Sequence, residues 1–236
     1  MNILLTIAVT FFAGMGAGLG TGFAGMSAAA VISPMLITFL KMDPYMAVGI
    51  ALSSDVLASA VSAYIYGKNK NLDIKNGIIM MISVLTFTVV GSYIASLLPA
   101  ATMGSFSVFM TFLLGIKFIV RPVMTTKEAM QGVSAKKRAI QSVVCGIMIG
   151  LICGFVGAGG GMMMLLILTS VLGYELKTAV GTSVFIMAFT AFTGAVSHFM
   201  IVGAPDWTVF ILCVVFTLIW ARIAARFANK ATPETL

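Results

Sequence analysis

The chain has 236 residues, 60% of them hydrophobic and 9% charged, with a mean hydropathy of +1.11. No water-soluble core absorbs that much apolar surface, so the chain is expected to be solvated by lipid. Its net charge of +7 comes from 14 Lys and Arg against 7 acids, scattered over short connections, which reads as topology signalling and excludes a nucleic-acid-binding domain.

Met1 to Phe12 is apolar and lacks the basic residues that precede the hydrophobic region of a secretory signal, so a retained first helix is expected. Apolar segments follow at about 3–23, 27–40, 45–66, 76–98, 103–121, 139–157, 160–173, 178–203 and 206–228. A helix needs about 20 residues to cross a hydrocarbon core. Segments 27–40 and 160–173 are too short for that and are expected as broken or re-entrant helices buried by their neighbours. Asp43-Pro44 and Pro205-Asp206 predict helix starts, because Asp caps free N–H groups and Pro there loses no needed donor. Pro99 closes the fourth segment. Tyr64, Tyr66, Tyr93 and Trp207, near segment ends, read as interfacial anchors.

Residues 14 to 73 are echoed by residues 146 to 206. Gly14, Gly18, Gly22, Phe23 and Gly25 recur 132 positions later as Gly146, Gly150, Gly154, Phe155 and Gly157, and Ala47-Val48-Gly49 recurs as Ala179-Val180-Gly181. The chain thus divides into a first transmembrane repeat, 1–121, a basic linker, 122–138, and a second repeat, 139–236. Duplicated membrane units with glycine-broken helices at matching places are expected of secondary transporters, with the substrate between the repeats near the midplane.

Basic residues collect in cytoplasmic loops, which puts the linker, the Lys68 to Lys75 connection and the C-terminus with Arg222, Arg226 and Lys230 inside. Counting 27–40 as a crossing gives five in the first half, which forces the second to be inverted about an axis in the membrane plane. If 27–40 and 160–173 instead enter and leave on one face, the C-terminal basic residues land outside, so the five-segment count fits better. The expected fold is an all-α polytopic membrane protein of two inverted repeats with short, glycine-broken or re-entrant helices. The second half stops at Thr235-Leu236 where the first continues into 103–121, so it is expected to lack a last helix, and a homodimer is expected to supply the packing partner.

The glycines divide into two kinds. Gly14, Gly18 and Gly22, like Gly146, Gly150 and Gly154, fall on one helix face and predict close helix packing. Gly157-Ala158-Gly159-Gly160-Gly161 cannot form one face and permits irregular backbone with free N–H groups ahead of a short helix. A helix N-terminus carries roughly half a positive charge, so an anion seat within the membrane is one reading and a tightly packed kink the other. Gly25-Met26-Ser27-Ala28 is the first-half equivalent.

Gly154 to Gly161, Ala179-Val180-Gly181-Thr182-Ser183, and Gly194 through Gly203 to Asp206-Trp207 resemble the TauE/SafE family, also called the 4-toluene sulfonate uptake permease family, over nearly the whole chain. The resemblance implies a transporter of the prokaryotic cytoplasmic (inner) membrane, moving sulfite, organosulfonates or related small sulfur-containing anions, usually outward. Carried onto this chain, it implies substrate contacts at Gly157, Gly159, Gly160, Gly161, Thr182 and Ser183, with Gly25 and Ser27 as counterparts. Where the second half has Thr182 and Ser183 the first has Ile50 and Ala51, so its hydroxyls, Ser53 and Ser54, are displaced along the helix as substrate candidates.

Asp55 stands about ten residues from each end of its segment, near the centre of a ~30 Å core. An acid there costs ~2.5–3.5 kcal/mol on insertion scales and is functional by default. It is a candidate proton-coupling group, or a neutral acid bonded to a neighbouring helix. His198, the single histidine, is a second proton candidate or a ring bonded to a backbone carbonyl. Cys145, Cys153 and Cys213 lack metal spacing, and no metal or other cofactor is expected. The expected function is export of a small sulfur-containing anion. An anion channel, a proton-coupled uptake permease and a non-transporting scaffold subunit are the alternatives. No acid-base constellation points to an enzyme.

Overall fold

The computed structural model describes residues 3–96, 134–156 and 160–231. The predicted segment 103–121, Pro99, linker residues 122–133, Gly157 and Gly159 lie outside the described residues. Described residues fold into eight helices: α1 (Ile3–Ala24), α2 (Ala29–Leu40), α3 (Pro44–Lys68), α4 (Ile74–Ser96), α5 (Ala135–Val156), α6 (Gly160–Ser170), α7 (Leu176–Val202) and α8 (Trp207–Lys230). The chain is an all-α polytopic membrane protein. Helices α1, α3, α4, α7 and α8 hold stretches long and apolar enough to cross a bilayer, while α2 and α6, with 12 and 11 residues, do not.

Both predicted helix starts are in place. The Asp43 carboxylate accepts the Met46 N–H at 3.1 Å, and that of Asp206 accepts those of Thr208 and Val209 at 3.0 and 3.2 Å. An unforeseen third cap is Glu175, which accepts the Thr178 N–H and hydroxyl at 3.3 and 2.9 Å and starts α7. Ile211, Val215, Ile219, Ile223 and Phe227 form an exposed apolar row along α8, a surface suited to lipid and not to water.

The glycine stripes are helix contacts. A Cβ at Gly18 would lie 2.6 Å from the Thr217 carbonyl oxygen and 2.7 Å from Trp220 Cβ and Ala221 N. One at Gly150 would lie 2.6, 2.9 and 3.1 Å from the Val84 carbonyl oxygen, Phe87 Cβ and Thr88 N, the same three atoms in the same spacing. Gly14 faces Phe216 and Gly22 faces Ala224, so α1 and α8 run parallel; Gly146 faces Ser83 and Gly150 faces Phe87, so α4 and α5 do too. The first helix of each half therefore packs on the fourth helix of the other. Between these pairs, Gly49 of α3 meets His198 and Phe199 of α7, Leu52 meets Gly194, and Tyr66 meets Gly181, so α3 and α7 are antiparallel. The molecule has a Tyr66 end and a His198 end.

The Tyr66 end is tied by polar bonds. Asp73 accepts the Tyr174 hydroxyl at 2.8 Å, lies 4.0 Å from Arg138, and donates its N–H to Thr182 Oγ1 at 3.2 Å. Arg138 also stacks over the Tyr174 ring, 5.6 Å from its centroid. Burial first, and the Asp73 carboxylate second, push the Tyr174 phenol well above its ordinary pKa, so it stays a donor.

Candidate functional site

At the end of α1 the chain must reverse, and Gly25 does this with φ +61°, a conformation glycine adopts without a Cβ penalty. Ser27 follows, and its hydroxyl donates to Asp55 Oδ2 at 2.5 Å. The Ala28 N–H bonds the same carboxyl, and the Ser59 hydroxyl donates to Oδ1 at 2.8 Å. Asp55 thus caps the N-terminus of α2 from across the helix pair. It is wholly buried, with three donors in place of water.

Helix α6 begins against this turn. A Cβ at Gly161 would stand 2.6 Å from Met187 Sδ, 3.0 Å from Ser27 N, and against the Gly25 carbonyl; one at Gly160 would collide with Cys153 Sγ. Only glycine allows so close an approach. The two short helices start side by side and diverge, α2 leading to Asp43 at the foot of α3 and α6 to Tyr174 beside Asp73. Their N-termini, each with a partial positive charge, meet at mid-span; at α2 the first N–H groups already bond Asp55 and Ser27.

A cavity of about 640 Å³ runs from this meeting point toward the His198 end, lined by Ser27, Asp55, Gly160, Gly161, Met187 and His198 among others. None of its described lining residues is Lys or Arg, and Asp55 is the one acid among them. His198 Nδ1 hydrogen-bonds the Gly194 carbonyl of its own helix at 2.9 Å while the ring borders the cavity.

The other predicted site residues lie elsewhere. Ser53 and Ser54 donate to the Gly49 and Ile50 carbonyls of their own helix at 2.9 and 3.0 Å. Thr182 accepts the Asp73 N–H at the Tyr66 end, and Ser183 donates to Val180 O at 2.9 Å and packs against Gly25. Neither Thr182 nor Ser183 is among the described residues that line the cavity. Tyr66 is no interfacial anchor: it is buried, and its hydroxyl donates to the Gly22 carbonyl at 2.9 Å, because α1 and α7 cover that face of α3. Tyr64 and Trp207, by contrast, are 70% and 61% exposed.

Sequence reasoning missed Met187, Ser59 and Cys153. Adding 132 to Asp55 gives Met187, so the repeat itself pairs an acid with a thioether. Ser59 is one helical turn from Asp55, the spacing at which side chains meet. Cys153 was legible only as a buried residue, since nothing local in the sequence sets its Sγ against Gly160.

The sulfite exporter TauE/SafE family model matches residues 10–236. The chain is similar to the "Probable membrane transporter protein YunE" of Bacillus subtilis (strain 168), 25% identical over 232 residues, covering 93% of this chain and 85% of the relative. It is also similar to the "Probable membrane transporter protein YdhB" of the same organism, 24% identical over 216 residues, covering 90% and 86%. No solved structure matches. A family match over nearly the whole length, on a helical framework built to cross a bilayer, makes this chain a member of the sulfite exporter TauE/SafE family, a membrane transporter and not an enzyme.

Proposed function

We propose that the protein is a secondary transporter that exports sulfite, an organosulfonate or a related small sulfur-containing anion by alternating access of two inverted halves. The observation that carries this reading is the meeting of two half-helix N-termini beside Asp55, at the inner end of a cavity. The seats differ. Asp55 already serves the N-terminus of α2, whereas Met187 holds the equivalent position against α6, so the anion sits at Gly160 and Gly161. With no Lys or Arg among the described lining residues, a dipole of roughly half a charge suits a monoanion better than a dianion.

Inversion is supported by the antiparallel α3 and α7 and by the matching α1–α8 and α4–α5 contacts. The Tyr66 end is the cytoplasmic one: Lys68, Lys70, Lys75, Arg138, Lys177 and Lys230 all belong to helix ends or connections there, against Lys41 at the other end. An interior-negative potential pushes each anionic charge outward by about 2.3 kcal/mol per 100 mV, so export needs no further coupling, and protonation of Asp55 would serve uptake.

A thermal-shift panel of sulfite, thiosulfate, sulfoacetate, sulfate and neutral analogues on purified protein tests the substrate class. Stabilisation by sulfite, strongest where it is singly protonated, with weaker effects of the dianions sulfoacetate, thiosulfate and sulfate, is expected; stabilisation by none of the anions would sink the reading.

A further inference from the structure

The open cavity has a counterpart written in the repeat. Four residues on one face of α7 line it: Met187, Ala191, Gly194 and His198. Set back by 132 positions they become Asp55, Ser59, Ser62 and Tyr66, one face of α3 running from mid-span to the Tyr66 end. These four are packed shut, with Asp55, Ser59 and Ser62 at 0% exposure and Tyr66 at 1%. The flanking walls follow the same rule: Cys153 and Met164 border the cavity, while their counterparts Thr21 and Ile32 are fully buried.

Packing alone gives no reason for hydroxyls along that face. Ser59 is accounted for by its bond to Asp55. Ser62 is not, since its buried Oγ has no hydrogen-bond partner among the described residues. An orphaned hydroxyl destabilises the arrangement that buries it and is relieved in any arrangement that hydrates it. At the far end the Tyr66 hydroxyl spans from α3 to the Gly22 carbonyl of α1 and holds the face closed.

We infer that Ser59, Ser62 and Tyr66 line a second pathway from Asp55 to the Tyr66 end of the molecule, closed in this structure and latched by the Tyr66–Gly22 hydrogen bond. It rests on the alternating-access reading above, and it makes Asp55 the residue common to both routes. When the latch opens, the hydroxyls of α3 become the wall of a passage as Ala191 and Gly194 are now.

The test is thiol accessibility in oriented vesicles, in a background with Cys145, Cys153 and Cys213 changed to Ser. A membrane-impermeant methanethiosulfonate should modify the Ser62→Cys variant only from the Tyr66 face and the Thr190→Cys variant, in the open cavity, only from the opposite face. Adding Tyr66→Phe should raise the Ser62→Cys rate roughly fivefold, the weight of one buried hydrogen bond, with no comparable rise at Thr190→Cys. A Ser62→Cys thiol that stays unreactive from both faces with and without Tyr66, or that reacts from the Thr190 face, overturns the inference. Ser59→Cys is held to the same outcomes if Ser62→Cys does not fold. Labelling needs no substrate, so this pattern with no anion binding would count against the substrate alone.

Discussion

At the scale of single residues, the asymmetry between Asp55 and Met187 matters most. Both occupy the same place in their halves, one against α2 and the other against α6, yet only one can carry charge or a proton. Asp55→Asn keeps the size and the hydrogen bond from Ser27 but removes the titration. It is expected to leave the fold intact and to flatten the pH dependence of anion flux in proteoliposomes; an unchanged pH profile would end the proton-coupling role. Met187→Asp places a second acid at the N-terminus of α6, where it competes for the same N–H groups as the anion. That variant is expected to lose anion-induced thermal stabilisation by more than tenfold in concentration, since buried like charges are costly, and retained stabilisation would move the seat elsewhere. The sequence made Asp55 visible through its depth in an apolar helix, but not Ser27 and Ser59 as its partners, because that pairing depends on how the turn at Gly25 brings α2 back against α3.

At the scale of elements, the close helix contacts are stability features and can be separated from the site. Gly18→Ala and Gly150→Ala each drive a Cβ into backbone atoms of the partner helix at 2.6 Å, and overpacking of this kind costs about 1–3 kcal/mol. Gly16→Ala meets only Val31 Cγ1 at 3.3 Å, a side chain able to give way, and gains helix propensity. Melting temperatures in detergent should fall for the first two and hold or rise for the third; equal effects at all three would mean that the stripes are not helix contacts. Most of the elements were legible because apolar length and the Asp-Pro and Pro-Asp boundaries are local signals. The stripes could be read as packing faces, whereas their partners could not, since nothing in a local window links Gly18 to Thr217. The hydrogen bonds of Thr182 and Ser183 were not legible either: one accepts the Asp73 N–H and the other donates to its own helix, contacts that their place in a motif does not specify.

At the scale of the whole molecule, the repeat explains why one framework can present two routes. The same packing contacts occur twice, so in the alternating-access reading proposed above an exchange of the two halves' conformations would leave the helix pairs intact and move only the openings. A polar seal at the Tyr66 end, built from Asp73, Tyr174, Arg138 and Tyr66, faces a cavity that runs toward the His198 end. Tyr66→Phe is therefore expected to change transport rate with little change in anion affinity, a split visible in initial-rate kinetics; a pure affinity change would place Tyr66 in the binding site instead. Counting charged connections led to the inverted arrangement proposed above, because the placement of Lys and Arg is a whole-chain property that can be read without knowledge of contacts.

If the chain moves a small sulfur-containing oxyanion, radiolabelled sulfite in proteoliposomes should show a saturable flux, driven outward from an interior-negative compartment, competed by organosulfonates and little affected by sulfate. Sulfite flux no greater than in protein-free liposomes, with the purified protein folded and inserted, would contradict that reading.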